Sequence, residues 1–591
     1  KKYNIMHADK KWVVRPAGDA AKVEALSATL GIDPRLANLL VQRGIDTTEL
    51  ARQFFDPKLD ELHDPYLMKD MMFAVQRIEH AISHRERVMV YGDYDVDGIT
   101  AVALVYNFLS RWMDDLLFYI PDRYAEGYGI SEKGIDYAAD NGAKLIIALD
   151  CGIKACSKVA YAKRKGIDFI ICDHHLPGDS IPQAVAVLDP KREDCTYPFK
   201  DLSGCGVGFK LIQAFCQFKE LPFGTIEPLL DLVAVSIASD IVPIIGENRI
   251  LAHYGLIRLN RQPNKGLAAI IKLCGLERHT IAIDDIVFKI GPRINAAGRM
   301  EIEIDEDDPR AQSGGRTAVR LLTALNEQRA MYYVQQIDTF NKDRKSIDRN
   351  ITLEAHRFIE QTPEMLDKKC TVIYNPNWMK GVVGIVASRL IETYFRPTVV
   401  LTMSHGLVTG SARSVPGFDL YQAVESCADL LENFGGHTYA AGLTMRPERI
   451  EEFKARFEAY VEANIEPDML VPQIDIDEPL GFADITPAFR RTLNAFQPFG
   501  PGNPAPVFMT RNVSDNGTAR LVGARGEHLK MELIQGQRPF TPMSAIAFGQ
   551  TDCFEHIKRG GAIDICYNVV ENHYQGNVTP QLRIKDIKPC L

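Results

Sequence analysis

Four short apolar runs constrain this chain more than any other feature: VMVY at 88–91, KLIIAL at 144–149, FIIC at 169–172 and AVAVL at 184–188. Between them lie helix-patterned stretches, Gly98 to Trp112, Lys133 to Asn141 and Ala155 to Lys165. Short strands separated by single helices imply βαβ units and a parallel sheet. The spacing therefore predicts an α/β domain from about residue 85 to 245.

Acids and histidines cluster just past these runs. Asp93, Asp95 and Asp97 follow VMVY, Asp150 follows LIIAL, and Asp173, His174 and His175 follow FIIC. Asp240 ends a further apolar, helix-like run, LVAVSIAS. The carboxyl ends of parallel strands lie side by side, and ligands bind there. Residues far apart in sequence would thus meet in one crevice. Buried carboxylates need a counter-charge, and few basic residues lie nearby in sequence. A divalent cation fits, and a set of Asp and His without Cys favours Mn²⁺ or Mg²⁺. The candidate ligands are too many for one ion, so two metals bridged by a shared carboxylate are expected. Taken singly, an Asp after a strand is more often a cap or turn residue. The joint pattern makes the metal reading the stronger one.

The rest of the chain divides by pattern. Residues 1–70 read as a mostly helical lead-in. Arg316 to Thr362 contains no Gly or Pro, and a continuous helix there would run on the order of 70 Å. Two shorter helices with a hidden break are the alternative. From about 368 to 460 a second α/β pattern appears, with TVIYNP and PTVVLTM as strands and GVVGIVASRLIETY and DLYQAVESCADLLENF as helices. Beyond 465, strand-like runs with turn signals (PVFMTRNV, ARLVG, HLKMELI, AIDICYNVV, QLRIKDI) predict a small all-β barrel.

With 591 residues the chain is expected to hold roughly three to five domains. Its net charge of −9 neither favours nor excludes nucleic acid, which is recognised by local positive charge. The 12 cysteines form no CxxC pair, which argues against a zinc ribbon or disulfide framework. No stretch approaches the ~18 apolar residues of a membrane span, and the charged start lacks the apolar core of a signal peptide. A soluble, cytoplasmic monomer is expected.

CDHH at 172–175, with DYDVDG, ALDCG and ASDIVP, resembles the four motifs of the DHH phosphoesterase superfamily. That resemblance implies that Asp95 and Asp150 hold one metal, that Asp97, Asp150, His174 and Asp240 hold the other, and that His175 faces substrate. Superfamily members that hydrolyse pyrophosphate or small diesters carry a His four positions before the DxD pair. Here that position is Tyr91, so Asp93 is taken as a substitute ligand, as in the RecJ branch. GGHTYAAG resembles the DHHA1 domain, which implies that Gly435, Gly436 and His437 hold a substrate phosphate. Ser388 and Arg389 in GIVASRL, and Ser411 and Arg413 in SARS, are candidates to line the strand path, since Arg binds phosphate bidentately. GPRINAAGRM at 291–300 resembles a RecJ-branch segment in which Arg293, Asn295 and Arg299 would touch the DNA backbone. A loop packing two lobes together is the plainer reading. QPFGPGNPAPVF at 497–508 also resembles that branch, and the tail after it resembles an OB-fold. Phe508, Tyr567 and Tyr574 could stack bases, although aromatics in small barrels are usually core.

The implied layout is a lead-in at 1–70, a DHH domain at 71–300, a connector with a long helix at 301–365, DHHA1 at 366–462 and an OB-like domain at 463–591. The implied activity is 5′-to-3′ hydrolysis of single-stranded DNA in repair and recombination, with in-line attack and no covalent intermediate. Single-strand-binding protein and a RecQ-type helicase are the implied partners. An oligonucleotide or cyclic-dinucleotide phosphodiesterase and a non-catalytic replication scaffold are the competing readings. The intact motifs and the tail weigh against both.

Overall fold

The structure is a computed structural model that describes residues 10–300, 314–536, 541–574 and 577–590. The first part of the connector, 301–313, lies outside the described residues, as does the Tyr574 side chain. The chain forms two compact units. One comprises residues 58–465 with 500–502, and the other 1–57, 466–499 and 503–591.

The first unit is built on a five-stranded sheet, all parallel: β1 (Arg87–Gly92), β2 (Leu116–Tyr119), β3 (Ala143–Leu149), β4 (Asp168–Cys172) and β5 (Ala186–Leu188). β1, β3 and β4 are buried almost throughout, as expected where helices cover both faces. Val88, Val90, Leu145, Ile147 and Ile170 enter one core, and Met89, Tyr91, Ile146, Ala148 and Ile171 enter the other. β2, whose LLFY run is only half buried, escaped the sequence reading. Spatial order is β2-β1-β3-β4-β5. The chain leaves β1 for the edge and returns to its other side as β3, so a switch-point crevice opens between the ends of β1 and β3.

Three helices shape that crevice: α1 (Val96–Leu109), α2 (Gly204–Phe218) and α3 (Leu230–Ser239). The connector is not one continuous helix. A helix at Gly314–Leu322 ends before α4 (Glu327–Glu360), whose 34 residues span about 51 Å. The break falls at Asn326, whose side chain accepts from Arg329 N and caps α4. Asn is more favourable there than inside a helix.

A second, mixed sheet follows: β6 (Thr371–Tyr374), β7 (Thr398–Ser404), β8 (Leu407–Arg413), β9 (Leu431–His437) and β10 (Ala440–Met445), with α5 (Lys380–Tyr394) packed on it. Its order is β9-β10-β8-β7-β6. DLYQAVESCADLLENF is a correction. Only Leu420–Glu425 is α-helical, and the final LENF belongs to β9. Its apolar pattern suits either state, and pairing with β10 decides it.

In the second unit, strands Phe508–Asp515, Ile563–Tyr574, Asn577–Pro589, Met543–Phe548 and His528–Gln535 pair in that order, and the last pairs back with the first to close a barrel. The lead-in is corrected as well. Leu36, Leu39, Leu40 and Phe54 share one core with the barrel residues Phe508, Tyr567 and Leu582, and Lys11–Val14 pairs with Gln473–Ile476. Residues 58–70 belong to the other unit. Phe508 and Tyr567 are fully buried, so neither is available to stack a base.

One buried ion pair supports α2. Lys210 Nζ donates to Glu247 Oε1 at 3.1 Å and to the His63 carbonyl at 2.6 Å, and Tyr197 donates to Glu247 Oε2 at 2.6 Å. Removing one partner strands the other charge. Glu247→Ala is expected to cost about 3–5 kcal/mol, read as a lowered urea midpoint with the m-value unchanged.

Candidate metal centre

β1 ends in YGDYDVDG, where the chain turns directly into α1. Asp95 caps that helix, accepting from Gly98 N at 3.0 Å. Two residues later Asp97 points back under the start of α2. It accepts from Gly204 N at 2.6 Å, Cys205 N at 2.8 Å and the Ser236 hydroxyl at 2.7 Å. A helix N-terminus favours such a carboxylate.

Past β3, Asp150 takes a left-handed conformation (φ 59°), which costs about 1 kcal/mol or more outside glycine. Its N–H donates to the Cys172 carbonyl of β4 at 2.8 Å. The turn lays its carboxylate against α2. A Cβ at position 204 would come within 2.6 Å of Asp150, so only glycine fits there.

His174 gathers the set. Its Nε2 lies 3.2 Å from Asp150 Oδ1, 3.6 Å from Asp240 Oδ2 and 3.8 Å from Asp97 Oδ2. Asp150 Oδ1 and His174 Nε2 are buried, and neither has a hydrogen-bond partner. Burial, followed by the neighbouring acids, pushes Asp97 up to about 6 and Asp240 up to about 9. The same causes, in the same order, raise Asp150 and Asp93 well above the carboxylate range. Burial brings His174 down to about 3, so its imidazole is neutral. Mutually repelling carboxylates and an uncharged imidazole, aimed at one point without bonding to each other, are the donor set of a hard divalent cation. Asp93 Oδ1 is also buried without a partner.

Asp173 has a different job. It accepts from Ile153 N, His174 N and His175 N, and from His175 Nδ1 at 2.7 Å. Burial opposes its ionisation, but the His175 hydrogen bond and charge outweigh it and hold Asp173 at about 2. Burial likewise opposes the charge on His175, and Asp173 overcomes it, raising His175 to about 9. Asp189, just past β5, is a further buried acid that the sequence reading did not single out. Burial pushes it up to about 7.

A cleft of about 810 Å³ lies between Asp173 and His175, which adjoin this centre, and the second sheet. Of the predicted substrate residues, Arg299, Ser411, Arg413, Gly435, Gly436 and His437 line it. Ser388, Arg389, Arg293 and Asn295 do not. Ser388 donates to the Gly384 carbonyl of its own helix, Arg389 to Asp348 on α4 at 2.7 Å, and Arg293 pairs with Asp338 on α4 at 3.7 Å. Asn295 sits on the neighbouring short helix with its side-chain oxygen buried. The part of α5 that reaches the cleft is its first turn, Lys380 to Gly384. A Cβ at Gly381 would stand 2.0 Å from the Arg299 carbonyl oxygen. The reading also missed Arg123, Tyr128 and Lys154, which line the cleft from loops after β2 and β3. For Arg123 and Tyr128 the available signal was their place past LLFY, a strand not recognised.

Family models match the chain in three places: the DHH family N-terminal domain at 87–237, the DHHA1 domain at 367–463 and the RecJ OB domain at 476–586. The single-stranded-DNA-specific exonuclease RecJ of Bacillus subtilis is 37% identical over 585 residues, 98% of this chain and 71% of the relative. The chain belongs to the RecJ family. The Escherichia coli RecJ is 32% identical, with 87% of this chain and 90% of the relative aligned. Among solved structures, Thermus thermophilus RecJ in complex with Mn²⁺ superposes with a TM-score of 0.81 at 27% identity, covering 98% of this chain and 79% of that one. The same RecJ has also been solved with Mg²⁺. Those are the two ions that the donor chemistry here selects, and the DHH domain is a metal-dependent phosphoesterase.

The raised carboxyls give a pH test. Unfolded Asp titrates near 3.9, and in the metal-free fold Asp97 and Asp240 titrate at about 6 and about 9. A raised carboxyl favours the fold while protonated, so its stabilisation is complete below about pH 4 and is lost as pH rises through the folded values. Metal-free protein should therefore lose thermal stability between about pH 5 and 9, and Mn²⁺ should raise Tm more at the alkaline end. Calorimetry with and without Mn²⁺ measures this, and a Mn²⁺ shift that is flat with pH would contradict it.

Proposed function

We propose that this RecJ-family chain is a single-stranded-DNA exonuclease that hydrolyses phosphodiesters from the 5′ end at a two-metal centre. The observation that carries the proposal is the meeting of Asp97, Asp150 and Asp240 around His174, next to His175, which lines a cleft together with Arg299, Ser411 and Arg413. Asp95 and Asp150 would hold one Mn²⁺ or Mg²⁺, and Asp97, Asp150, His174 and Asp240 the other, with Asp93 a further ligand. Bound cations of this kind lower the pKa of water and neutralise charge building on a phosphate in flight.

The chain's own groups do the rest. Asp173 fixes the His175 ring through Nδ1, and the Tyr128 hydroxyl lies beside the ring, 3.3 Å from Nε2 and 3.5 Å from Nδ1. A phosphate oxygen entering there would accept from a protonated imidazole. Gly435, Gly436 and His437 would hold a phosphate on the opposite wall, and Arg299 and Arg413 would hold its neighbour. A cleft of this kind would admit one strand and reject a duplex.

The 5′ polarity, the DNA preference and a role in repair and recombination rest on family membership. Cytoplasmic residence and work beside single-strand-binding protein and a RecQ-type helicase rest on it too. Among the described residues, no helix is long and apolar enough to cross a membrane.

Single strands labelled at either end, incubated in Mn²⁺ beside a duplex control, should release the 5′ label first and leave the duplex intact. Release of the 3′ label first, or preference for duplex, would overturn the polarity or strand assignment. Asp150→Ala should reduce turnover by at least about 10³-fold with the thermal transition kept. Normal turnover in that variant would remove the two-metal scheme.

A further inference from the structure

Tyr91, two residues before Asp93, is fully buried, and its hydroxyl is engaged away from the metal centre. It donates to the Gly129 carbonyl at 2.8 Å and accepts from Ser131 N at 3.1 Å. Its ring stacks on Tyr119, centroids 5.4 Å apart. The neighbouring helix Glu132–Asp140 makes room for that ring only through Gly134, where a Cβ would stand 2.6 Å from it. A hydroxyl on so tightly packed a ring is a rigid anchor. It anchors the end of the loop 120–131, which crosses from β2 to that helix. The start of the loop is braced differently. Asp122 accepts from Tyr124 N and Ala125 N at 2.8 Å, and Glu126 accepts from Asp122 N at 2.9 Å and from the Tyr119 hydroxyl at 3.0 Å.

Between the two braces stands Tyr128. Gly127 and Gly129 flank it with φ of 81° and 84°, a left-handed backbone that glycine adopts without a steric penalty. The Tyr128 side chain is 57% exposed and lines the cleft. Among the described residues its hydroxyl has three polar neighbours and no close one: His175 Nε2 at 3.3 Å, His175 Nδ1 at 3.5 Å and the Asp150 carbonyl at 3.5 Å. Hydroxyl hydrogen bonds normally close to about 2.7–2.8 Å. This donor is therefore weakly engaged, and it stands beside both the bridging acid and the imidazole that Asp173 orients.

We propose that Tyr128 donates its hydroxyl to an oxygen of the phosphate under attack, beside His175, and that Tyr91 is the positioning residue that holds it there. The proposal rests on the phosphodiesterase reading above and adds two residues to it. A donor fixed in advance where charge builds stabilises the transition state without reorganising. A donor on a loop does so only if the loop is held, because a displacement of about 1 Å can cost on the order of 10²-fold in rate. The Tyr91 hydroxyl supplies that hold. Gly129 is buried, so without Tyr91 its carbonyl would lose this partner, and the turn next to Tyr128 would shift to recover one.

The test is a double-mutant cycle on the full chain, read as the single-turnover rate constant for a 5′-phosphorylated oligothymidylate at saturating enzyme and Mn²⁺. Tyr128→Phe should lower the rate by about 10²-fold and leave the thermal transition in place. Tyr91→Phe keeps the ring and removes the hydroxyl. It should lower the rate by about tenfold in the wild-type background and not at all in the Tyr128→Phe background, because the group it positions is already gone. Gly129→Ala, strained by its φ of 84°, disturbs the same turn from the loop side. It should show the same dependence on Tyr128, which keeps the cycle decisive if Tyr91→Phe fails to fold. A loss by the same factor in both backgrounds would mean that Tyr91 supports only the fold or the metal ligands, and would overturn the positioning role. An undiminished rate in Tyr128→Phe would overturn the whole proposal and leave the nuclease reading intact. A wild-type chain that cleaves no single strand would instead be a failure of the nuclease reading itself.

Discussion

Mutual repulsion among desolvated carboxylates governs this protein. Asp97, Asp150 and Asp240 are brought within 4 Å of one imidazole nitrogen, in surroundings that raise the pKa of each acid. Among the described residues, no lysine or arginine forms an ion pair with any of them. The fold resists that repulsion with rigid parts: a left-handed turn at Asp150, the α2 N-terminus beneath Asp97 and a parallel sheet buried on both faces. A divalent charge resolves the conflict, so metal binding and stability are coupled at this site.

The two walls of the cleft divide the labour by chemistry. The sheet of the first lobe supplies oxygen and imidazole donors at strand ends. The face of the second supplies glycine, hydroxyl and cationic groups. α4 ties the lobes through buried or half-buried ion pairs, Arg293 with Asp338 on one side and Arg389 with Asp348 on the other. Two arginines that sequence alone suggested for DNA contact are thus used to hold the frame. An arginine beside a glycine-rich motif reads the same whether it faces phosphate or a neighbouring helix, because only packing decides which partner is within reach.

The misread elements share a cause. LLENF has an apolar pattern that suits a helix or a strand, and its last four residues enter β9 because β10 offers an edge to pair with. The uninterrupted Gly- and Pro-free run through the connector hid a break, because the cap at Asn326 needs neither Gly nor Pro. β2 was missed because an edge strand buries less and shows a weaker apolar signal. The lead-in looked separable because its helices are amphipathic, yet their apolar faces fill the barrel core beside Phe508 and Tyr567.

The sequence by itself determined the parallel sheet, the identity of the acids and histidines at its carboxyl edge, the hard-cation chemistry and the family. Those follow from local patterning and residue type, which do not depend on distant neighbours. Tertiary structure alone decided that Asp173 orients His175, that Asp189 joins the acidic edge, that Arg123 and Lys154 reach the cleft and that Ser388 and Arg389 do not. Register and lobe packing set which side chains meet across tens or hundreds of residues, and no local pattern encodes those distances.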